Sequence, residues 1–161
     1  MPIVESPDAP AETTIVRPLG RARELPPRRR IRMLSVSADC EDHDILSGIL
    51  ENTIWQLVTA ATCQEAIGRL NRLRVAAILC EYTLGDGSWK DVLDHCLRNA
   101  KPVPVIVTSR LADEHLWAEV LNLGGYDVLA KPFREREVVH TVTSALLHGA
   151  RATPRVRAAG G

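Results

Sequence analysis

VAAILCEYTLGDGSW, residues 75–89, runs through six apolar residues, meets Glu81, and passes Gly85-Asp86-Gly87 before the next hydrophobic stretch. An apolar run without polar alternation suits a strand covered on both faces, which is what a parallel sheet between helices imposes. VAAILC (75–80) therefore reads as the third and central strand. Ligands in open α/β folds bind outside the carboxyl ends of strands, so the residue that ends the run, Glu81, is where chemistry is sought. Two later runs end in the same way: PVIVT (104–108) gives way to Ser109, and the short run Tyr126 to Ala130 to Lys131-Pro132.

Working outward, the pattern alternates strand and helix. IRMLSVS (31–37) is a short apolar run, the spacing of Ile45, Leu46, Ile49 and Leu50 is helical, and WQLVT (55–59) begins a second strand. Thr62 with Glu65 fits a capping box, which opens a helix through Ile67, Leu70 and Leu73. The Gly85-Asp86-Gly87 turn leads to a helix from about Ser88, with Trp89, Val92, Leu93 and Cys96 on one side. A further helix carries Leu116, Val120 and Leu123 and stops at Gly124-Gly125. Pro132 stands near the start of the last helix, whose apolar stripe is Val138, Val139, Val142, Ala145 and Leu146. Five strand–helix units with right-handed crossovers place helices on both faces of one parallel sheet.

Composition narrows the function classes. A chain of 161 residues holds one core with tails rather than two full domains. Lys+Arg and Asp+Glu both total 20, so no net field draws nucleic acid or a membrane surface. No apolar run reaches the roughly 18 residues of a membrane span, and a cytoplasmic location is expected. Residues 1–30, with six prolines and Arg28-Arg29-Arg30, read as a disordered leader, 31–149 as the folded domain and 150–161 as a loose tail. Cys40, Cys63, Cys80 and Cys96 lack CxxC or zinc-type spacing and read as reduced, mostly buried thiols.

From about Ile31 to Leu147 the chain resembles a response-regulator receiver domain of two-component signalling. The resemblance rests on GGYDVLAKPF (124–133), the PVIVTS run before it, and the strand–turn CEYTLGDGSW at the expected separations. It implies a flavodoxin-like (βα)5 three-layer sandwich with a five-stranded parallel sheet. In that family a strand-three aspartate accepts a phosphoryl group from a histidine kinase. Two acids after strand one help hold Mg²⁺, a hydroxyl residue ends strand four, and a lysine ends strand five. On this chain those places fall on Glu81, on Ser37 and Ala38, on Ser109 and on Lys131.

The first three depart from the pattern. Glu81 sets its carboxylate one methylene farther out, and a misplacement of about 1 Å costs on the order of 10²-fold in rate. Ser37 and Ala38 remove two hard anionic oxygens, so Mg²⁺ binding is expected to be weak or absent and no metal ligand is assigned. Asp39, Glu41 and Asp42 stand close enough in sequence to restore it. The simpler reading of DCEDHD (39–44) is that acids gather at a helix N-terminus because the dipole favours them. A transition-metal site from Cys40 and His43 lacks a second ligand pair. Glu81 reaches Lys131 in this reading, partly imitates phospho-aspartate and holds the domain in one state, although an ordinary buried ion pair has the same geometry.

The family's aromatic switch position, three residues before the lysine, is Val128 here. Tyr126 is expected on the same face by strand alternation. Trp55, Trp89 and Trp117 read as packing, since no basic–aromatic stripe surrounds them. No helix-turn-helix unit follows the last helix. The five histidines are scattered on helical segments and read as mostly surface positions, without a nucleophile arrangement. The expectation is an atypical receiver, or pseudo-receiver, that is not an enzyme, has no catalytic residue and no cofactor, and binds a protein partner, a histidine kinase or a downstream effector. It does not bind nucleic acid or membrane in this reading, and its oligomeric state stays open. The alternatives are a phosphorylatable regulator with a rebuilt metal site and a thiol sensor at Cys80.

Overall fold

The computed structural model describes residues 29–99 and 102–149; nearly all of the expected leader and the whole expected tail (150–161) lie outside them. The chain forms β1 (Ile31–Val36), α1 (Cys40–Leu50), β2 (Trp55–Ala60), α2 (Cys63–Arg72) and β3 (Ala77–Glu81). A short hairpin follows, β4 (Thr83–Leu84) and β5 (Gly87–Ser88). Then come α3 (Trp89–Leu97), β6 (Val105–Ser109), α4 (Glu114–Leu123), β7 (Asp127–Ala130) and α5 (Glu135–Gly149). The main sheet has the order β2-β1-β3-β6-β7 with every pairing parallel. This is the five-stranded flavodoxin-like sandwich, and its order reverses between β1 and β3, the place where such folds keep their sites.

Strand alternation divides the core into two layers. Leu34, Val36, Ile78, Cys80, Val105 and Val107 pack with Ala66, Trp89, Val92, Cys96 and Val120, the helices α2, α3 and α4. Met33, Leu79, Ile106 and Leu129 pack with Leu46, Leu50, Val138, Val142 and Ala145, the helices α1 and α5. Trp89 is wholly buried, Trp55 packs against the second layer, and Trp117 is half-exposed with its indole N–H on Asp127 Oδ1 at 3.1 Å.

Helix starts follow from local chemistry. Asp39 caps α1 through Glu41 N, Asp113 caps α4 through Leu116 N, and Ser88 with Asp91 forms a capping box on α3. At α2 the Thr62 hydroxyl accepts from Glu65 N as expected, but the Glu65 carboxylate takes the N–H of Ala61 rather than that of Thr62. Gly124, at φ +104°, ends α4 in the left-handed region where a side chain is strained. Gly125 lies so close to α4 that a Cβ would stand 2.5 Å from Val120 Cγ1.

The expected glycine turn is the tip of a hairpin. Asp86, at that tip, accepts from Cys63 N at 2.8 Å and Gln64 N at 3.0 Å, so the loop after β3 caps the start of α2. Hydrogen bonds from Gln64 and Cys63 hold the Asp86 carboxyl below the ordinary value of 3.8. A depressed value means a contribution present above that pH and lost as the pH falls through the folded-state value. Asp86→Ala is expected to lower the thermal midpoint by a few degrees near neutrality, with the difference shrinking in acid; equal midpoints at pH 7 would refute the cap.

Other boundaries moved by one or two residues. The third strand begins at Ala77 rather than Val75 and includes Glu81, because the apolar run outlasts the hydrogen-bonded ladder. Leu123, expected on the buried stripe of α4, is 46% exposed in the last turn before the Gly124 cap.

Candidate functional site

Glu81 ends β3, and Ser37 and Lys131 stand one residue beyond β1 and β7; all three continue the rows of Met33, Leu79 and Leu129 on the α1–α5 side of the sheet. Ser37 N donates to Ala60 O at 3.0 Å and Lys131 N to Ser109 O at 2.9 Å, so both backbones are fixed by the neighbouring strands. Lys131 Nζ donates to Glu81 Oε1 at 2.9 Å, the contact expected from the sequence. It also donates to Asp42 Oδ2. Ser37 Oγ lies 2.7 Å from Asp42 Oδ2 and 2.9 Å from Glu81 Oε2, and accepts from Asp39 N at 3.1 Å. A hydroxyl has one proton, so Ser37 serves one carboxylate at a time.

The result is a closed knot of two carboxylates, one ammonium and one hydroxyl. Lys131 is 9% exposed and Asp42 6%, whereas the Glu81 side chain keeps 28% of its surface. Burial works to lower the Lys131 value, and hydrogen bonds and charge from Asp42 and Glu81 outweigh it, so the ammonium is held above the ordinary lysine range.

Asp42 corrects the reading of DCEDHD as a purely helix-terminal cluster. Asp39 does cap α1 and Glu41 is exposed, but Asp42 turns inward. Its signal is helical spacing: Asp42, Leu46 and Leu50 form one stripe at i, i+4 and i+8, and that stripe is the buried one. His43 is likewise not a surface residue. Its Nε2 meets Ser37 O and its Nδ1 meets Ser35 Oγ, both at 3.0 Å, and because a carbonyl only accepts, the Nε2 carries the proton. His43 thus braces the backbone that presents Ser37. His95 is half-buried as well, while His115, His140 and His148 are exposed.

Ser109 and Ala38 stay outside the knot. Ser109 Oγ accepts from Leu111 N at 3.1 Å and shapes its own loop, and Ala38 is exposed. Asp39 Oδ2 faces Arg110 at 4.0 Å across the mouth, an exposed pair of little energetic weight. Val128 is half-buried against the α2–α4 layer. Tyr126 packs instead with the α1–α5 layer and bonds His148 Nδ1 at 2.9 Å, against the expectation of a shared face. It precedes β7, although its N–H still donates to Val105 O at 2.7 Å.

Cys80 is fully buried and its thiol is pushed up, first by burial. Burial also raises Cys63 and Cys96 to about 11, for Cys63 with help from Asp86 and Asp91. Cys40 is exposed. In the native protein Cys40 is expected to react with a disulfide reagent at the rate of a free thiol and the other three only on unfolding; rapid native labelling of Cys80 would contradict this burial.

The family model of the response regulator receiver domain matches residues 34–143. The chain belongs to this family. Among curated proteins the receiver is similar to the phosphate regulon transcriptional regulatory protein PhoB of Escherichia coli, at 25% identity over 117 residues, covering 71% of this chain and 51% of that protein. The chain spans about half the length of the curated relatives it matches. The signal receiver domain of an HD domain-containing protein from Pseudomonas fluorescens superposes at TM-score 0.69 with 22% identity, covering 76% of this chain and 91% of that one. The receiver domain of a sensor histidine kinase from Pseudomonas aeruginosa, solved with a magnesium ion in its active-site cleft, superposes at 0.64 with 21% identity, covering 72% and 97%. At these identities the structures share the fold with this receiver.

Proposed function

We propose that the chain is an atypical receiver, acting in two-component phosphorelay signalling by protein–protein interaction, with Glu81 in place of the phosphoacceptor aspartate. The observation that carries this reading is the double engagement of Lys131 by Glu81 and Asp42. An ammonium held between two carboxylates has no need of a phosphoryl oxygen, so the domain rests in one state. Its output is the surface of α4, β7 and α5, read by a histidine kinase or a downstream effector. The domain is not an enzyme in this reading, binds neither nucleic acid nor membrane, and works in the cytoplasm. No described helix is long and apolar enough to cross a membrane.

The residues present do not suit the Mg²⁺ of the family. Both inward carboxylates are engaged by Lys131, with the Ser37 proton on one of them at a time, the Ala38 side chain offers no ligand, and Asp39 caps α1 and faces Arg110. No group of three or more His, Cys, Asp or Glu among the described residues is arranged for a metal. A second reading, a phosphorylatable regulator with rebuilt metal ligation, draws support from Asp42, which brings a second carboxylate beside Glu81. Titration with beryllofluoride and Mg²⁺, followed by amide NMR, separates the two. No shift is expected at Ser37, Glu81 and Lys131; saturable shifts there would favour the second reading. A Cys80 sensor finds no support in a thiol so deeply buried.

A further inference from the structure

The edge of the sheet opposite the knot carries a concentration of arginine. Arg29, Arg30, Arg32, Arg69, Arg72 and Arg74 are all exposed, and none has a carboxylate partner within ion-pair distance among the described residues. The topology brings them together. Ala76 N donates to Arg32 O at 2.8 Å, so the approach to β3 runs beside the start of β1 and sets Arg74 near Arg30. By alternation Arg32 lies on the face of Leu34 and Val36, the side that α2 covers, and α2 ends there with Arg69 and Arg72. The helix dipole accounts for cations at the end of α2. It does not account for Arg29, Arg30, Arg32 and Arg74, which stand on strand approaches.

We infer that this face is a docking surface for an acidic segment of a partner protein. The side chains are all arginine, whose planar fork meets carboxylates bidentately. The aromatic residues near the same edge, Trp55 and Tyr126, pack into the other layer, so this face lacks stacking platforms for single-stranded nucleic acid. The chain's equal totals of acidic and basic residues supply no general field to attract a long polyanion. A short acidic segment meets the patch alone. The inference is independent of the pocket reading, because the patch lies at the other end of the strands.

The full chain, with a labelled oligoglutamate peptide as the probe, is followed by fluorescence anisotropy at low salt. The peptide is expected to bind, and Arg72→Glu/Arg74→Glu to weaken it about tenfold, since two attractions become repulsions. Arg134→Glu/Arg136→Glu, on the α5 side, is expected to leave affinity unchanged. Unaltered circular dichroism and thermal midpoint keep a folding defect out of the comparison. The inference is overturned if the peptide does not bind, if the Arg72/Arg74 pair is without effect, or if the α5 pair weakens binding as much. A single-stranded oligonucleotide or phosphatidylserine vesicles binding more tightly through the same arginines overturns it as well.

Discussion

Lys131→Met is expected to destabilise the receiver by about 3–5 kcal/mol, the range for removing one partner of a buried ion pair, measured as a lower urea midpoint at unchanged slope. The loss is more than one contact. Asp42 and Glu81 would face each other with only the Ser37 proton between them, and Asp42 has almost no access to water. Adding Asp42→Asn and Glu81→Gln to Lys131→Met is expected to recover much of the loss, because a buried site without charges is often as stable as one with a satisfied pair. A cost below about 1 kcal/mol for Lys131→Met would place the ammonium in solvent and remove the basis of the fixed-state reading. The pH dependence has a definite sign. Lys131 is raised in the folded protein, so its contribution is complete below the ordinary value of 10.5 and is lost as the pH rises through the folded-state value. The wild type is therefore expected to lose stability in strong alkali faster than the variant that lacks all three charges.

The fold was legible because long-period signals agree with short ones. VAAILC, PVIVT and the helical stripes each specify an element, and Gly124 marks a stop that only a left-handed residue makes easily. The Glu81–Lys131 contact was legible because both residues stand at the carboxyl ends of strands that flank β6, close enough for two long side chains to meet across it. Asp42 was harder to read. An acid in the first turn of a helix has a sufficient local explanation in the dipole, and only its phase with Leu46 and Leu50 separates an inward carboxylate from a solvated one. The role of Asp86 was hidden for a different reason. A side chain that caps a helix more than twenty residues earlier leaves no local pattern, and a Gly-Asp-Gly turn has the same composition whether its aspartate faces water or another element. Tyr126 shows the limit of alternation, because its ring packs with the α1–α5 layer while Val128, two residues on, faces the other.

Restoring the acids is expected to give this receiver a Mg²⁺-dependent phosphoryl adduct that the parent lacks. Glu81→Asp alone shortens the acceptor, but Lys131 remains with Asp42 and the mouth still holds Ser37 and Ala38, so nothing gathers a metal or screens the incoming phosphate; no adduct is expected. Ser37→Asp/Ala38→Asp/Glu81→Asp supplies hard oxygens and a carboxylate of the right reach. Asp42→Asn on that background frees the ammonium to meet the phosphoryl oxygens. With acetyl phosphate, a carboxylate oxygen of the new aspartate attacks phosphorus as the P–O bond to acetate breaks, leaving an acyl phosphate and free acetate. Intact mass reads the outcome as one added phosphoryl group, abolished by a chelator. Positioning and electrostatics govern phosphoryl transfer, so the gain is expected to be close to all-or-none across the series rather than graded. An adduct on the unaltered chain, or one that Glu81→Asp acquires as readily as the four-substitution variant, would mean that Asp42 and Glu81 already form a working site, and the knot around Lys131 would then be the resting form of an active regulator.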